Sequence, residues 1–323
     1  MAAVDQIGQD RGGIEGIVDS ILEEYGGVQG MLFLVPSLVL LAGIVFYPMV
    51  VNGLVLSFQD FTLNPNAADP FVGLENYQYW LLGSGQALFL FSVKVTVLYE
   101  LLVVPFDLVV ALGAALLMNE KFELPGLGIE TRAFWRGLML AGYASPAIAA
   151  GLTWGIMEQA AEYGIVYQAA TMFFDVPASG GITGNRPWAF WGVVIAKVWR
   201  DFGFMYVVFL AGVQSIPSAL YEISKVDGAN PIQRFRYITL PHLRTVIVTV
   251  VMIRTVFTVG KLAIPLATTQ GGPVNYTRVL GLVIFDVAFG EWALGRAAAL
   301  GMLFAVSIIP LILIWIKTET EDY

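Results

Sequence analysis

Six long apolar stretches, joined by shorter polar ones, organise this chain. The first, at 31–58, reads "MLFLVPSLVLLAGIVFYPMVVNGLVLSF". The others lie at about 88–117, 134–157, 189–214, 243–268 and 294–316. A helix needs about 20 apolar residues to cross about 30 Å of hydrocarbon, and each stretch is long enough. None shows the alternating ~10-residue segments of a transmembrane barrel. The pattern predicts an all-α polytopic membrane protein with six transmembrane helices. Pro36 and Pro48 predict kinks in the first, and Pro105 a kink in the second. The segmentation gives an acidic N-terminal segment at 1–30, a first span at 31–58, a loop at 59–87, a membrane core at 88–316 and a tail at 317–323.

Composition supports this reading. The chain is 57% hydrophobic and 13% charged, against about 25% charged for a soluble domain. There is no cysteine, which excludes disulfides, thiolate metal sites and cysteine nucleophiles. The lone histidine, His242, is predicted as a surface residue at a helix start and builds no metal site. Net charge is −8, and no basic tail or patch points to nucleic acid. The segment 1–30 sets Ile14, Ile17, Val18, Ile21 and Leu22 at helical spacing among acids. An acidic amphipathic helix and a disordered tail both fit it; a signal peptide does not.

Lys and Arg in short loops set orientation. Lys121, Arg132, Lys225, Arg234 and Arg236 fall in the second-to-third and fourth-to-fifth connections, and only Arg186 and Arg278 on the other side. This bias predicts both termini in the cytoplasm and the 59–87 loop outside.

The polar stretch "YEISKVDGANPIQRFRYITLP" lies between two apolar runs. It predicts a helix–turn–helix knuckle over 217–241, on the inner face of the membrane. Ser218 is placed as N-cap. Leu220, Ile223 and Val226 share an apolar face. Gly228 stops the first helix in a left-handed conformation. Pro231 opens the second, Ile232, Phe235 and Ile238 form a narrow seam, and Pro241 ends it before the fifth span. Apolar anchors beside Glu222 and Asp227 suit docking of another protein. Packing on its own bundle is the alternative.

These residues carry a family resemblance. Glu222, Asp227-Gly228-Ala229, Phe235, Ile238, Leu240 and Pro241 resemble the coupling-loop signature of binding-protein-dependent ABC importer permeases: E-A-A-x(2)-D-G-A, five variable residues, F-x(2)-I-x-L-P. The departure is "EIS" in place of "EAA". "FYPMVVNGLVLSFQDF", "FVGLENYQYW", "LAGVQSIPSALYE" and "TTQGGPVN" look like the sugar-permease branch of the maltose type, so the resemblance spans roughly 31–316. It implies a type I importer permease of the cell membrane that passes a sugar or oligosaccharide. The implied partners are a second homologous permease, two ATPase subunits that grip the knuckle, an extracytoplasmic solute-binding protein and the lipid bilayer. ATP and Mg would sit on the ATPase subunits, with no cofactor bound by this chain. The residues agree on one point: no GxxxxGK[ST] phosphate loop is present, so the chain is not itself expected to be an enzyme.

Lys94, Glu100, Asp107, Lys197, Arg200, Asp201, Arg254 and Lys261 fall in or near the apolar stretches. A charge at the bilayer centre costs at least about 2.5–3.5 kcal/mol, so such groups face a wet cavity or each other. Lys197, Arg200, Asp201 and Phe204 share one helical face, and Arg254, Phe257, Thr258 and Lys261 repeat that spacing. Facing stripes would line a polar path with aromatic platforms. Salt bridging between helices, Asp201 with Arg254, is the other reading. The resemblance adds that Arg200, Asp201, Phe204, Arg254, Phe257, Thr258 and Lys261 fall where the maltose-type larger subunit contacts its sugar. Glu100 and Asp107 share a face, as proton-coupled transport would use; pairing with Lys94 or Arg136 is the alternative. An ion-coupled secondary transporter and a non-transporting membrane scaffold are therefore the rivals.

Overall fold

A computed structural model describes residues 27–62, 70–119 and 132–321. Most of the acidic N-terminal segment, most of the turn "NPNAADP", Lys121 and the last two residues of the tail lie outside them.

Twelve helical elements follow one another among the described residues. Helix α1 runs from Gly27–Leu40 through a π-helical stretch, Leu41–Asn52, into Gly53–Ser57. Then come α2 (Glu75–Leu81), α3 (Gln86–Asn119), α4 (Arg132–Ala144), α5 (Ala147–Met157), α6 (Ile165–Thr171) and α7 (Trp188–Gln214). Helix α8 is Ser218–Val226. Helix α9 joins Pro231–Arg234, a π turn at Phe235–Thr239 and Leu240–Val259. Next are α10 (Ala263–Thr269), α11 (Leu280–Phe289) and α12 (Leu294–Glu321). The described residues contain no β-strand, only the isolated bridges Gln59–Phe71 and Thr62–Ala293.

Phe33–Ser57, Gln86–Asn119 and Pro231–Thr258 are each long and apolar enough to cross a membrane. Helices α7 and α8 together make a fourth candidate, bent by 67°. Helices α5, α11 and Leu294–Pro310 are apolar but shorter.

Two predicted stretches and one predicted loop are built differently. The third is two helices: Pro146 is extended (φ −58°, ψ 132°), so α4 stops and α5 restarts. Ser145 Oγ donates to the Gly142 carbonyl at 2.6 Å across that break. The fifth ends at Val259 and resumes as α10. Between the fifth and sixth stretches, a region read as loop holds α11, whose buried Leu280, Leu282 and Val283 pack into the bundle.

Among the described residues helices α3 and α7 make the broadest packing, with α4 and α9 against α7. Between membrane helices, close approach depends on small residues. A Cβ on Gly142 of α4 would lie 2.4 Å from the Trp199 carbonyl oxygen of α7. A Cβ on Gly203 of α7 would lie 3.1 Å from the Met139 carbonyl oxygen. These two glycines set the α4–α7 crossing. Helix α1 is the opposite case: its apolar side chains are exposed, as a lipid-facing helix requires, and its last turn packs on α12.

Candidate functional site

Two places carry the residues singled out in the sequence: the polar knuckle and a charged cluster inside the bundle.

The knuckle starts where Pro217 (φ −57°, ψ 126°) turns the chain out of α7. Pro217, not Ser218, is the residue preceding the first turn of α8, and no side chain caps it. Asp227 closes α8 and Gly228 takes φ +79°, the left-handed stop. The Ala229 N–H then donates to the Ser224 carbonyl at 2.9 Å. Asn230 caps α9 through a reciprocal box. Its Oδ1 accepts from the Gln233 N–H at 2.9 Å, and Gln233 Oε1 accepts from the Asn230 N–H at 2.8 Å. That cap was legible as Asn-Pro-x-Gln but went unread.

Leu220, Ile223 and Val226 do not share a face. Leu220 and Tyr221 pack with Ile238 onto Val213, Ile216 and Leu243, while Ile223 and Val226 are exposed. Steps of three residues drift about 60° per step on a 3.6-residue helix. The Tyr221 and Thr239 hydroxyls, 2.9 Å apart, pin α8 to α9. The outer side of the knuckle exposes Glu222, Ile223, Val226 (88% exposed), Asp227, Gly228, Ile232 and Tyr237. Ala229, Phe235 and Ile238 are half-buried; Leu240 and Pro241 are exposed.

Pro241 does not end the second arm. The arm and the fifth stretch form one helix, Pro231–Thr258, 28 residues long. Proline removes a donor and crowds the carbonyl four residues back. The π turn at Phe235–Thr239 lies where that conflict falls, and its wider register absorbs it. His242 accordingly lies within α9 rather than at its start, exposed, with Nδ1 2.7 Å from the Ile238 carbonyl.

The cluster joins three helices. Arg254 of α9 donates from Nε and Nη2 to Asp107 Oδ2 of α3, at 2.8 and 2.6 Å. Its Nη2 also lies 2.6 Å from Asp201 Oδ2 of α7. Lys197 Nζ reaches the same oxygen at 2.6 Å, and Arg200 donates to Asp201 Oδ1. Asp107, Asp201, Lys197 and Arg254 are all buried. Both carboxylate oxygens of Glu100 are buried without a hydrogen-bond partner. Lys94 is exposed and Arg136 donates to the Met118 carbonyl at 3.2 Å, so neither pairs with the α3 acids.

The remaining stripe residues sit around this cluster. The Arg200 guanidinium lies 5.5 Å from the Tyr143 ring centroid, and Phe204 packs 6.0 Å from the same ring. Tyr143 was missed in the sequence; it stands two residues before the Ser-Pro break. Thr258 is buried, Phe257 is exposed (65%), and Lys261 is exposed just past the end of α9. At the same end, "TTQGGPVN" forms an ordered turn. Thr269 and Thr277 hydroxyls are 2.6 Å apart, Gly271 takes φ +82°, and Val274 is exposed.

Bilayer-length apolar helices, an interior held by buried ion pairs and a bent polar arm with an exposed apolar edge define a polytopic membrane component. The chain belongs to the family described as "Binding-protein-dependent transport system inner membrane component", whose model matches residues 30–318. It is 36% identical to the inner membrane ABC transporter permease protein YcjO of Escherichia coli, over 88% of this chain and 92% of that protein. It is 34% identical to the sulfoquinovosyl glycerol transport system permease protein SmoG of Agrobacterium fabrum, over 86% of each. It is 30% identical to the trehalose/maltose transport system permease protein MalF of Thermococcus litoralis, over 89% of this chain and 92% of that protein. The fold is similar to a chain of a bacterial ABC transporter for import of the acidic polysaccharide alginate. The TM-score is 0.68 at 19% identity, over 90% of this chain and 94% of that one.

Proposed function

We propose that this chain forms the membrane path for a sugar or oligosaccharide in an ABC importer, driven by ATP hydrolysed on two partner ATPase subunits. One observation carries the reading: an exposed polar knuckle is continuous with a helix that reaches the bundle interior. The names of the relatives favour a sugar cargo, and a solved neighbour is seen with an oligosaccharide-bound periplasmic protein. Six spans result if α1, α3, α4 with α5, α7, α9 with α10, and α12 each cross once. Both termini then lie in the cytoplasm, with the knuckle on that side and the "TTQGGPVN" turn outside.

In this arrangement Glu222, Asp227, Gly228, Ala229, Phe235, Ile238, Leu240 and Pro241 make the coupling surface for one ATPase subunit. A second, homologous permease completes the pore, and an extracytoplasmic solute-binding protein delivers cargo to the outer loops. ATP-driven closure of the ATPase pair displaces the knuckle as a rigid body. Arg200, Asp201, Phe204, Arg254, Phe257, Thr258 and Lys261 lie along the path. Within that set, Phe204 with Tyr143, and Phe257, present ring faces, while Thr258 and Lys261 offer hydrogen bonds. Asp201 and Arg254 spend their hydrogen bonds on each other and on Asp107, Lys197 and Arg200, and hold the wall.

The test is ATP-dependent uptake by the reconstituted complex, with a panel of neutral and acidic sugars competing for entry. The proposal expects uptake that requires ATP and survives an uncoupler. Uptake that collapses with an uncoupler while ATP stays high would instead favour ion coupling through Glu100 and Asp107.

A further inference from the structure

We infer that the Asp107–Arg254–Asp201 triad is the latch through which motion of the knuckle reaches the opposite end of the bundle. The inference rests on the ATP-driven reading above and adds the residues that transmit the stroke.

Helix α9 runs as one helix from Pro231, in the second arm of the knuckle, to Thr258. At 1.5 Å per residue its 28 residues span about 42 Å. Arg254 lies five residues before Val259, where the helix ends. A displacement at Pro231 therefore reaches Arg254 along one continuous helix, through the π turn at Phe235–Thr239 and then the α-helix from Leu240. Arg254 is the one α9 side chain joined by an ion pair to another element among the described residues. Its two acceptors stand on different helices, α3 and α7. One guanidinium thus ties the lever to both helices of the broadest packed pair.

The chemistry suits a latch. A guanidinium presents a planar fork of donors, and here three short hydrogen bonds fix its angle. Water is excluded, because Arg254 is 4% exposed and Asp107 and Asp201 are 0% and 1% exposed. A buried charge does not leave its partner for solvent, so α3 and α7 follow α9. Asp201 is held in turn by Lys197 and Arg200 on its own helix, which leaves it a fixed anchor. Among the described residues Asp107 makes no second ion pair, and its Oδ1 has no hydrogen-bond partner. The α3 half of the latch therefore depends on Arg254 alone.

The experiment uses the assembled complex with the probe ATP plus orthovanadate, so no cargo need be known. The chain has no cysteine, so a pair introduced before assembly carries its only spin labels. One pair, Asn119→Cys with Ser218→Cys, spans α3 and the start of the knuckle; the other, Leu82→Cys with Gln270→Cys, spans the opposite end. All four positions are exposed. In the otherwise unchanged chain, both distances shift when ATP–vanadate traps the ATPase pair. In Arg254→Gln and in the milder Asp107→Asn, the knuckle distance still shifts and the opposite-end shift falls several-fold. The charge exchange Asp107→Arg with Arg254→Asp restores it. A full opposite-end shift in both single variants overturns the latch. A merely structural triad lowers the melting temperature of Asp107→Asn while leaving that shift intact, which also overturns it. A knuckle distance that never moves in the unchanged chain overturns the ATP-driven reading itself, and the latch with it.

Discussion

At the residue scale, the costly choices are a buried guanidinium and two glycines. Removing one partner of a buried ion pair costs about 3–5 kcal/mol, because the charge left behind stays unpaired. Arg254→Met strands Asp107 and leaves Asp201 with Lys197 and Arg200. It is expected to destabilise the complex in that range and lower its melting temperature in detergent. Arg254→Lys retains the charge but loses the fork, and should fall between the two. Gly142→Leu is expected to be as damaging, because its Cβ meets backbone rather than a movable side chain. Gly228 is different: a Cβ there meets nothing within 4 Å, and only its positive φ resists substitution. A β-branched residue there costs about 1–2 kcal/mol and Asn much less. Gly228→Val should weaken binding of the ATPase subunits while Gly228→Asn retains it, as read by co-purification.

At the element scale, much of the architecture was legible in hydrophobic periodicity. Runs of bilayer length gave α3 and α7 to within two residues at each end, since Pro105, the one proline inside either run, is carried within α3. The breaks were harder to read. Pro146 splits one run while Pro36, Pro105 and Pro241 are each carried inside a helix. The difference lies in the surrounding register and packing, which no single proline reports. Helix α11 went unread because its ten residues are too few for a span, and its purpose is burial against α12. Likewise, the stripes on α7 and α9 were visible, but Asp107 was grouped with Glu100 by spacing alone. Only the packing of α3 beside α9 reveals its partner. The Asn230–Gln233 box gives an element-scale prediction. Asn230→Ala should cost about 1 kcal/mol of helix stability at the knuckle end of α9. Faster amide exchange over the first turn of α9 is the expected readout, with the rest of the helix unchanged.

At the scale of the whole molecule, the chain is an importer permease of the binding-protein-dependent family. Its exposed apolar surfaces are of two kinds. Helix α1 leaves its apolar side chains uncovered, as a lipid-facing helix does. The knuckle does the same with Ile223, Val226, Ile232 and Tyr237, but beside acids and polar residues, as at a protein interface. Asp227→Lys places the opposite charge on that edge. It is expected to leave membrane insertion intact and to separate ATP hydrolysis from uptake, measured in the same proteoliposomes.

The central proposal is that a nucleotide-driven partner grips the knuckle. A photo-reactive group attached at Val226→Cys, the sole cysteine in the chain, tests it most directly in the intact complex in native membranes. The account predicts crosslinks to an ATPase subunit that strengthen when ATP and orthovanadate are added. Crosslinks confined to this chain, with or without nucleotide, would contradict it.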